Sequence, residues 1–116
     1  MSDRMTEDSW QRQLVDLAAI LGYEWLHVRP GQTAHGWRVP VQGTLGKGWP
    51  DLVLVRERDR RLVFVELKAA GGKLTADQQR VLGVLRDAGA EVYTWWPTDI
   101  DEAYHVLDGH APEVPA

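Results

Sequence analysis

Gly48-Trp49-Pro50-Asp51-Leu52-Val53-Leu54-Val55 and Leu62-Val63-Phe64-Val65-Glu66-Leu67-Lys68 flank the charged hexapeptide Arg56-Glu57-Arg58-Asp59-Arg60-Arg61. The flanks are rich in Val and Leu, which suit a pleated sheet, and the charged insert suits a turn. The stretch therefore reads as a hairpin of two strands, Asp51–Val55 and Leu62–Leu67, expected to be buried on both faces. With Arg58 and Asp59 at the tip, Val55 faces Leu62, Val53 faces Phe64 and Asp51 faces Glu66. Opposed residues of an antiparallel pair share a face, with Cα atoms roughly 4.5–5.5 Å apart. Lys68 lies two residues past Glu66, so strand periodicity returns it to that face.

Two carboxylates at the end of an apolar sheet repel each other and resist burial unless a positive group lies between them. A divalent metal with oxygen ligands resolves this. Asp51 and Glu66 are expected to hold Mg²⁺ or Mn²⁺, with the backbone carbonyl of Leu67 as a further ligand. Such a metal polarises a phosphate and acidifies a bound water. Lys68 then positions the water, deprotonates it or stabilises charge on the phosphate, and the sequence leaves these roles open. An isolated E-x-K is more often a charged sheet edge. The opposed Asp51, the preceding Pro50 and the apolar flanks argue for a site instead.

Working outward, Trp10, Leu14, Leu17, Ala18 and Leu21 recur at helical spacing, so 7–21 is expected to be an amphipathic helix. Thr6 caps its start and Gly22 its end. Tyr23 to Arg29 alternates like a short strand. Pro30 to Pro50 carries five glycines and reads as a long connection, with a possible short strand at Trp37 to Val41. Ala69 to Lys73 is a loop. Thr75-x-x-Gln78 opens a second helix as a capping box, with Val81, Leu82, Leu85 and Ala88 on its apolar side and Gly89 at its end. Glu91 to Trp96 is a strand stopped by Pro97, and Asp99 opens a last helix closed by Gly109. The expected class is α/β (α+β), a mixed central sheet flanked by helices, in one domain over 1–116 with residues 1–5 and 111–116 frayed.

The 116-residue length suits one small domain. The absence of cysteine excludes disulfides, thiolate zinc sites and cysteine catalysis. A polar start and the lack of a long apolar run make a cytoplasmic protein the expectation. Net charge is −4, against the basic surplus usual in nucleic-acid binders. However, most of the cations fall between Arg29 and Arg80, and metal-binding carboxylates lower net charge without repelling DNA once loaded.

The segments Gly48–Val55 and Phe64–Lys68 resemble the PD-(D/E)xK nuclease superfamily. More narrowly, they resemble the stand-alone, phage-type VRR-NUC (virus-type replication-repair nuclease) domains. The likeness spans nearly the whole chain and includes Glu7 with Gln11, Leu26-His27, Leu74 to Gln78, and Gly89 to Tyr93. It implies a restriction-endonuclease-like core and metal-dependent DNA cleavage. It also implies a homodimer acting on branched DNA such as Holliday junctions. It adds Glu7 as a possible metal or water ligand and Gln78 beside Lys68, although Glu7 also suits a helix first turn and Gln78 also suits the capping box.

Lys47 and Lys73 lie in glycine-flanked loops without nucleotide-binding spacing. With Arg38 and His27 they are the candidate nucleic-acid contacts. Arg56, Arg58, Arg60 and Arg61 read as a solvated turn. Trp10, Trp25 and Trp95 suit the core, while Trp37 and Trp49 suit base stacking or a dimer interface. A non-catalytic DNA-binding or assembly subunit, and an exonuclease or single-strand nuclease, are the competing readings.

Overall fold

A computed structural model of the chain describes residues 6–28, 31–33, 36–38 and 43–112. Helix α1 spans Glu7–Ile20 and strand β1 Glu24–His27. Strands β2 and β3, Gly31–Thr33 and Gly36–Arg38, form a small hairpin of their own inside the long connection. Strands β4 (Leu52–Arg56) and β5 (Arg61–Leu67), helix α2 (Ala76–Asp87), strand β6 (Glu91–Trp95) and helix α3 (Ile100–Asp108) complete the order. The main sheet runs β1-β4-β5-β6, antiparallel except for the parallel β5–β6 pair. This is the mixed α+β architecture expected. The Trp37–Val41 strand is met in part by β3, and positions 39–41 lie outside the described residues.

The central hairpin has the expected register. Leu52 pairs with Val65, Val53 with Phe64 and Val55 with Leu62, which carries Asp51 to Glu66 at the open end. Its burial corrects the expectation of two covered faces. Leu52, Leu54, Val63, Val65 and Leu67 are fully buried beneath α1 and α3, yet Val55 and Leu62 on the other face remain 38% and 49% exposed. Helix α2 packs mainly against β6 and leaves this side of β4 and β5 partly open.

The core joins Trp10, Leu14 and Ala18 of α1 to Ala103 and Leu107 of α3 across the covered face. Burial of a leucine such as Leu14 or Leu107 contributes roughly 1.5–3 kcal/mol. Trp10 Nε1 donates to the Trp95 carbonyl at 3.1 Å, tying α1 to the last strand. Trp25 departs from expectation at 51% exposed, because β1 is an edge strand and its ring lies along the polar flank of α1 beside Arg12 and Asp16. Trp49 packs edge-on against Phe64 at 5.5 Å, inside the chain, and the side chain of Trp37 lies outside the described residues.

The hairpin tip is the main correction. Glu57–Asp59 form a 3-10 turn ending in Arg60 at φ 55°, and Arg58 is exposed as expected. Arg56 and Arg61, however, are 1% and 2% exposed. Arg56 donates to both oxygens of Asp59 and to the Leu107 and Gly109 carbonyls. Arg61 pairs with Glu91 and donates to the Tyr23 hydroxyl and the Val106 and Gly109 carbonyls. The two guanidiniums thus satisfy carbonyls at the C-terminus of α3, where cations are favoured by the helix dipole. They hold structure together and are not available to a phosphate.

Candidate active site

At the open end of the hairpin the backbone ladder stops at Leu52 and Val65, and the two carboxylates take over. Asp51 Oδ2 accepts the Leu67 amide at 3.0 Å, and Glu66 Oε1 accepts the Asp51 amide at 3.2 Å. Each acid therefore satisfies a backbone donor of the opposite strand. On its other side Asp51 is fixed by its carbonyl, which accepts the Val28 amide at 2.8 Å. This exchange holds both carboxylates against the same opening although Glu66 is only 1% exposed.

Lys68 Nζ lies 3.4 Å from Glu66 Oε2, with its side chain 13% exposed. Gln78 Nε2 donates to the same oxygen at 3.0 Å. Gln78 makes the capping-box bond and the bond toward the acids together. Gln78 Oε1 accepts the Thr75 amide at 2.9 Å while its nitrogen faces Glu66. One planar amide makes both bonds because its acceptor and donor lie at opposite corners.

The electrostatics follow from burial. Glu66 is pushed up to about 8, first by removal from water, then by the neighbouring Asp51 charge, while Lys68 pulls it back. Asp51 is raised by burial too, against the Leu67 amide, with the charge of Glu7 adding to the rise. A pair of acids that resists full ionisation fits a divalent cation with hard oxygen ligands. Among the described residues no cluster of three His, Asp or Glu side chains is placed to hold a metal. Glu7 stands in the exposed first turn of α1, near enough for its charge to reach Asp51 but outside any such cluster. Asp51, Glu66 and the Leu67 carbonyl are the groups that would hold such an ion, an all-oxygen donor set that suits a hard divalent cation.

The remaining candidates scatter. His27 is half-buried and its Nε2 meets the side-chain amide of Gln11 on α1. Lys47 is 88% exposed and 3.4 Å from Asp77 Oδ2, at a cleft of about 320 Å³ that also reaches Asp51 and Gln78. Lys73 is exposed on the loop before α2, and the side chain of Arg38 lies outside the described residues. Sequence reasoning missed the latch between the loop before Asp51 and α2. Arg80 donates to the Thr44 carbonyl, and Gly48, at φ 101°, lies directly on the Asp77–Gln78 backbone. The glycine in Gly48-x-Pro50-Asp51 was its only sequence signal.

Comparison with curated proteins and with solved structures finds no match. The profile of the VRR-NUC domain matches residues 10–95, which takes in β1, the hairpin with Asp51, Glu66 and Lys68, Gln78 on α2, and β6. On that match over most of its length, and with the expected residues brought together at one end of the sheet, the chain belongs to the VRR-NUC domain family of nucleases.

Proposed function

We propose that the chain is a metal-dependent DNA endonuclease that hydrolyses phosphodiester bonds, with Asp51, Glu66 and Lys68 as its chemical core. The observation that carries this reading is the convergence of buried Glu66 and half-buried Asp51 with a lysine and a glutamine donor at one opening of the sheet. The preference for branched DNA such as Holliday junctions, the working homodimer and a bacterial or phage-infected cell as the setting rest on resemblance to stand-alone phage-type members.

When bound, Mg²⁺ or Mn²⁺ would supply Lewis acidity to the scissile phosphate and a more acidic water. Asp51 and Glu66 contribute the anionic oxygens, and the Leu67 carbonyl offers a third donor between Glu66 and Lys68. Glu7, in the first turn of α1, is the further candidate to orient water, as the resemblance implies. Gln78 holds Glu66 by its Oε2 and so fixes the angle of that carboxylate. The ammonium of Lys68, beside the same oxygen, accompanies the attacking water or the charge developing on the phosphate. Lys47 and Lys73, with Arg38 and His27, are the candidates for steering the DNA backbone.

The test is cleavage of a panel of junctions, flaps and duplexes in Mg²⁺ or Mn²⁺ by wild type, Asp51→Ala and Lys68→Ala. Wild type is expected to cut a branched substrate best, Asp51→Ala to fall to background, and Lys68→Ala to lose about 10²–10⁴-fold. Full cutting by either variant sinks the site. A wild type that binds junctions but cuts nothing in any metal is instead a binding or assembly subunit.

A further inference from the structure

The capping box of α2 is joined to the acidic pair. Thr75, at φ −74° and ψ 166°, caps the helix, its hydroxyl accepting the Gln78 amide at 3.1 Å. Its own backbone N–H is donated to Gln78 Oε1 at 2.9 Å. An amide group is free to flip end for end unless one end is held. With its oxygen committed to Thr75, only the NH₂ end remains to face Glu66 Oε2, 3.0 Å away. With Glu66 ionised, as it is when it holds a metal, the flipped amide would set its oxygen against a carboxylate oxygen, a contact with no proton between two acceptors.

A second observation shows that this turn is a fixed reference rather than a fraying end. Gly48, two residues before Pro50 and three before Asp51, rests on it so closely that an added Cβ would stand 2.4 Å from the Asp77 carbonyl oxygen and 2.9 Å from the Gln78 nitrogen. The Lys47–Asp77 pair and the Arg80 contact with the Thr44 carbonyl lie at the same junction. The loop delivering Asp51 and the side chain holding Glu66 are thus both set by the first turn of α2.

We propose that Thr75 is a positioning residue for the nuclease site, acting through Gln78: its hydroxyl, by accepting the Gln78 backbone N–H, holds the turn that keeps the Thr75 N–H on Gln78 Oε1, and so sets which end of the Gln78 amide faces Glu66 and the angle of that carboxylate. This rests on the reading of Asp51 and Glu66 as the metal-holding pair. Thr75 itself lies one residue outside that shell and touches neither carboxylate in any bond described above. Groups that orient metal ligands typically alter metal affinity or activity by about 10–100-fold when removed, and an effect passed through one further residue falls at or below the lower end.

The experiment compares wild type with Thr75→Ala, Thr75→Gly and Thr75→Ser in the full chain, well below every unfolding midpoint. The first readout needs no activity: the side-chain NH₂ resonances of Gln78 in the metal-free protein, assigned by their loss in Gln78→Met. They are expected to be displaced from the solvent-exposed glutamine position in wild type and Thr75→Ser, and to collapse toward it in Thr75→Ala and Thr75→Gly. The second is the Mn²⁺ concentration giving half-maximal binding by calorimetry, expected to rise about 3- to 10-fold in Ala and Gly and to return within about twofold in Ser. Gly at this position nearly preserves helix stability, so a shift shared by Ala and Gly is not a stability effect. Unchanged Gln78 resonances, or an unchanged Mn²⁺ midpoint with only a lowered melting temperature, overturn the proposal. Absence of Mn²⁺ binding in wild type defeats the nuclease reading, and the resonance comparison then decides the role of Thr75 alone.

Discussion

Glu66 sets the stability of the metal-free fold against its proposed role as a metal ligand. It is nearly fully buried and held between an amide, a lysine and a glutamine, yet its acidity is weakened to about 8 by burial and by Asp51. Between its ordinary value of 4.5 and about 8 the folded, metal-free protein keeps a proton that the unfolded chain releases. Metal-free stability is therefore expected to fall as pH rises through that window and to level off above it. Glu66→Gln removes the charge and keeps the shape. It is expected to raise the thermal midpoint of the metal-free protein at pH 8 and to abolish cleavage, the exchange seen when a strained functional group is neutralised. Thermal scans from pH 5 to 9 check this, and a wild-type midpoint that climbs across the whole range contradicts it.

At the scale of elements, the central hairpin has its two ends assigned to different work. The open end carries the acids, while the turn end is bound to α3 by the buried Arg56 and Arg61. Arg61→Met leaves Glu91 without its guanidinium in a half-buried place, and breaking such a pair costs about 3–5 kcal/mol. Arg61 lies five residues from Glu66, roughly 16 Å along the strand. Urea denaturation is therefore expected to show a large loss, with cleavage per folded molecule near wild type in the cold. Equal loss of both would show that the ends are not independent.

The same hairpin shows what sequence could and could not reveal. Its register was readable because two apolar runs and a charged turn admit one good alignment, and that alignment placed Asp51 opposite Glu66 and Lys68 beside them. The burial of Arg56 and Arg61 was not readable. Charge predicts solvent, and several of the groups that repay burial, Glu91 and the carbonyls of Val106, Leu107 and Gly109, lie 30 or more residues away. The two bonds of Gln78 escaped for a related reason, since T-x-x-Q reveals a cap but not what stands beyond the amide. Trp25 misled because alternation gives a face and not how far a neighbouring helix extends over it.

For the whole molecule, a net charge of −4 has to be reconciled with a polyanionic substrate. Two of the acids sit at the site itself, and of the cations gathered between Arg29 and Arg80, Arg56 and Arg61 are occupied internally. DNA binding is therefore expected to be weak in chelator and tighter in Ca²⁺, which neutralises the acidic pair. Affinity should fall steeply with salt in both conditions because it rests on phosphate contacts. Equal affinity with and without Ca²⁺ would mean that DNA does not approach the Asp51–Glu66 opening. The central claim, that this opening holds the catalytic metal, is met most directly by a crystal grown with Mn²⁺. The expected result is one anomalous peak within about 2.0–2.6 Å of an oxygen from both Asp51 and Glu66. A pair that keeps its bonds to the Leu67 and Asp51 amides with no anomalous peak between the two acids would contradict it.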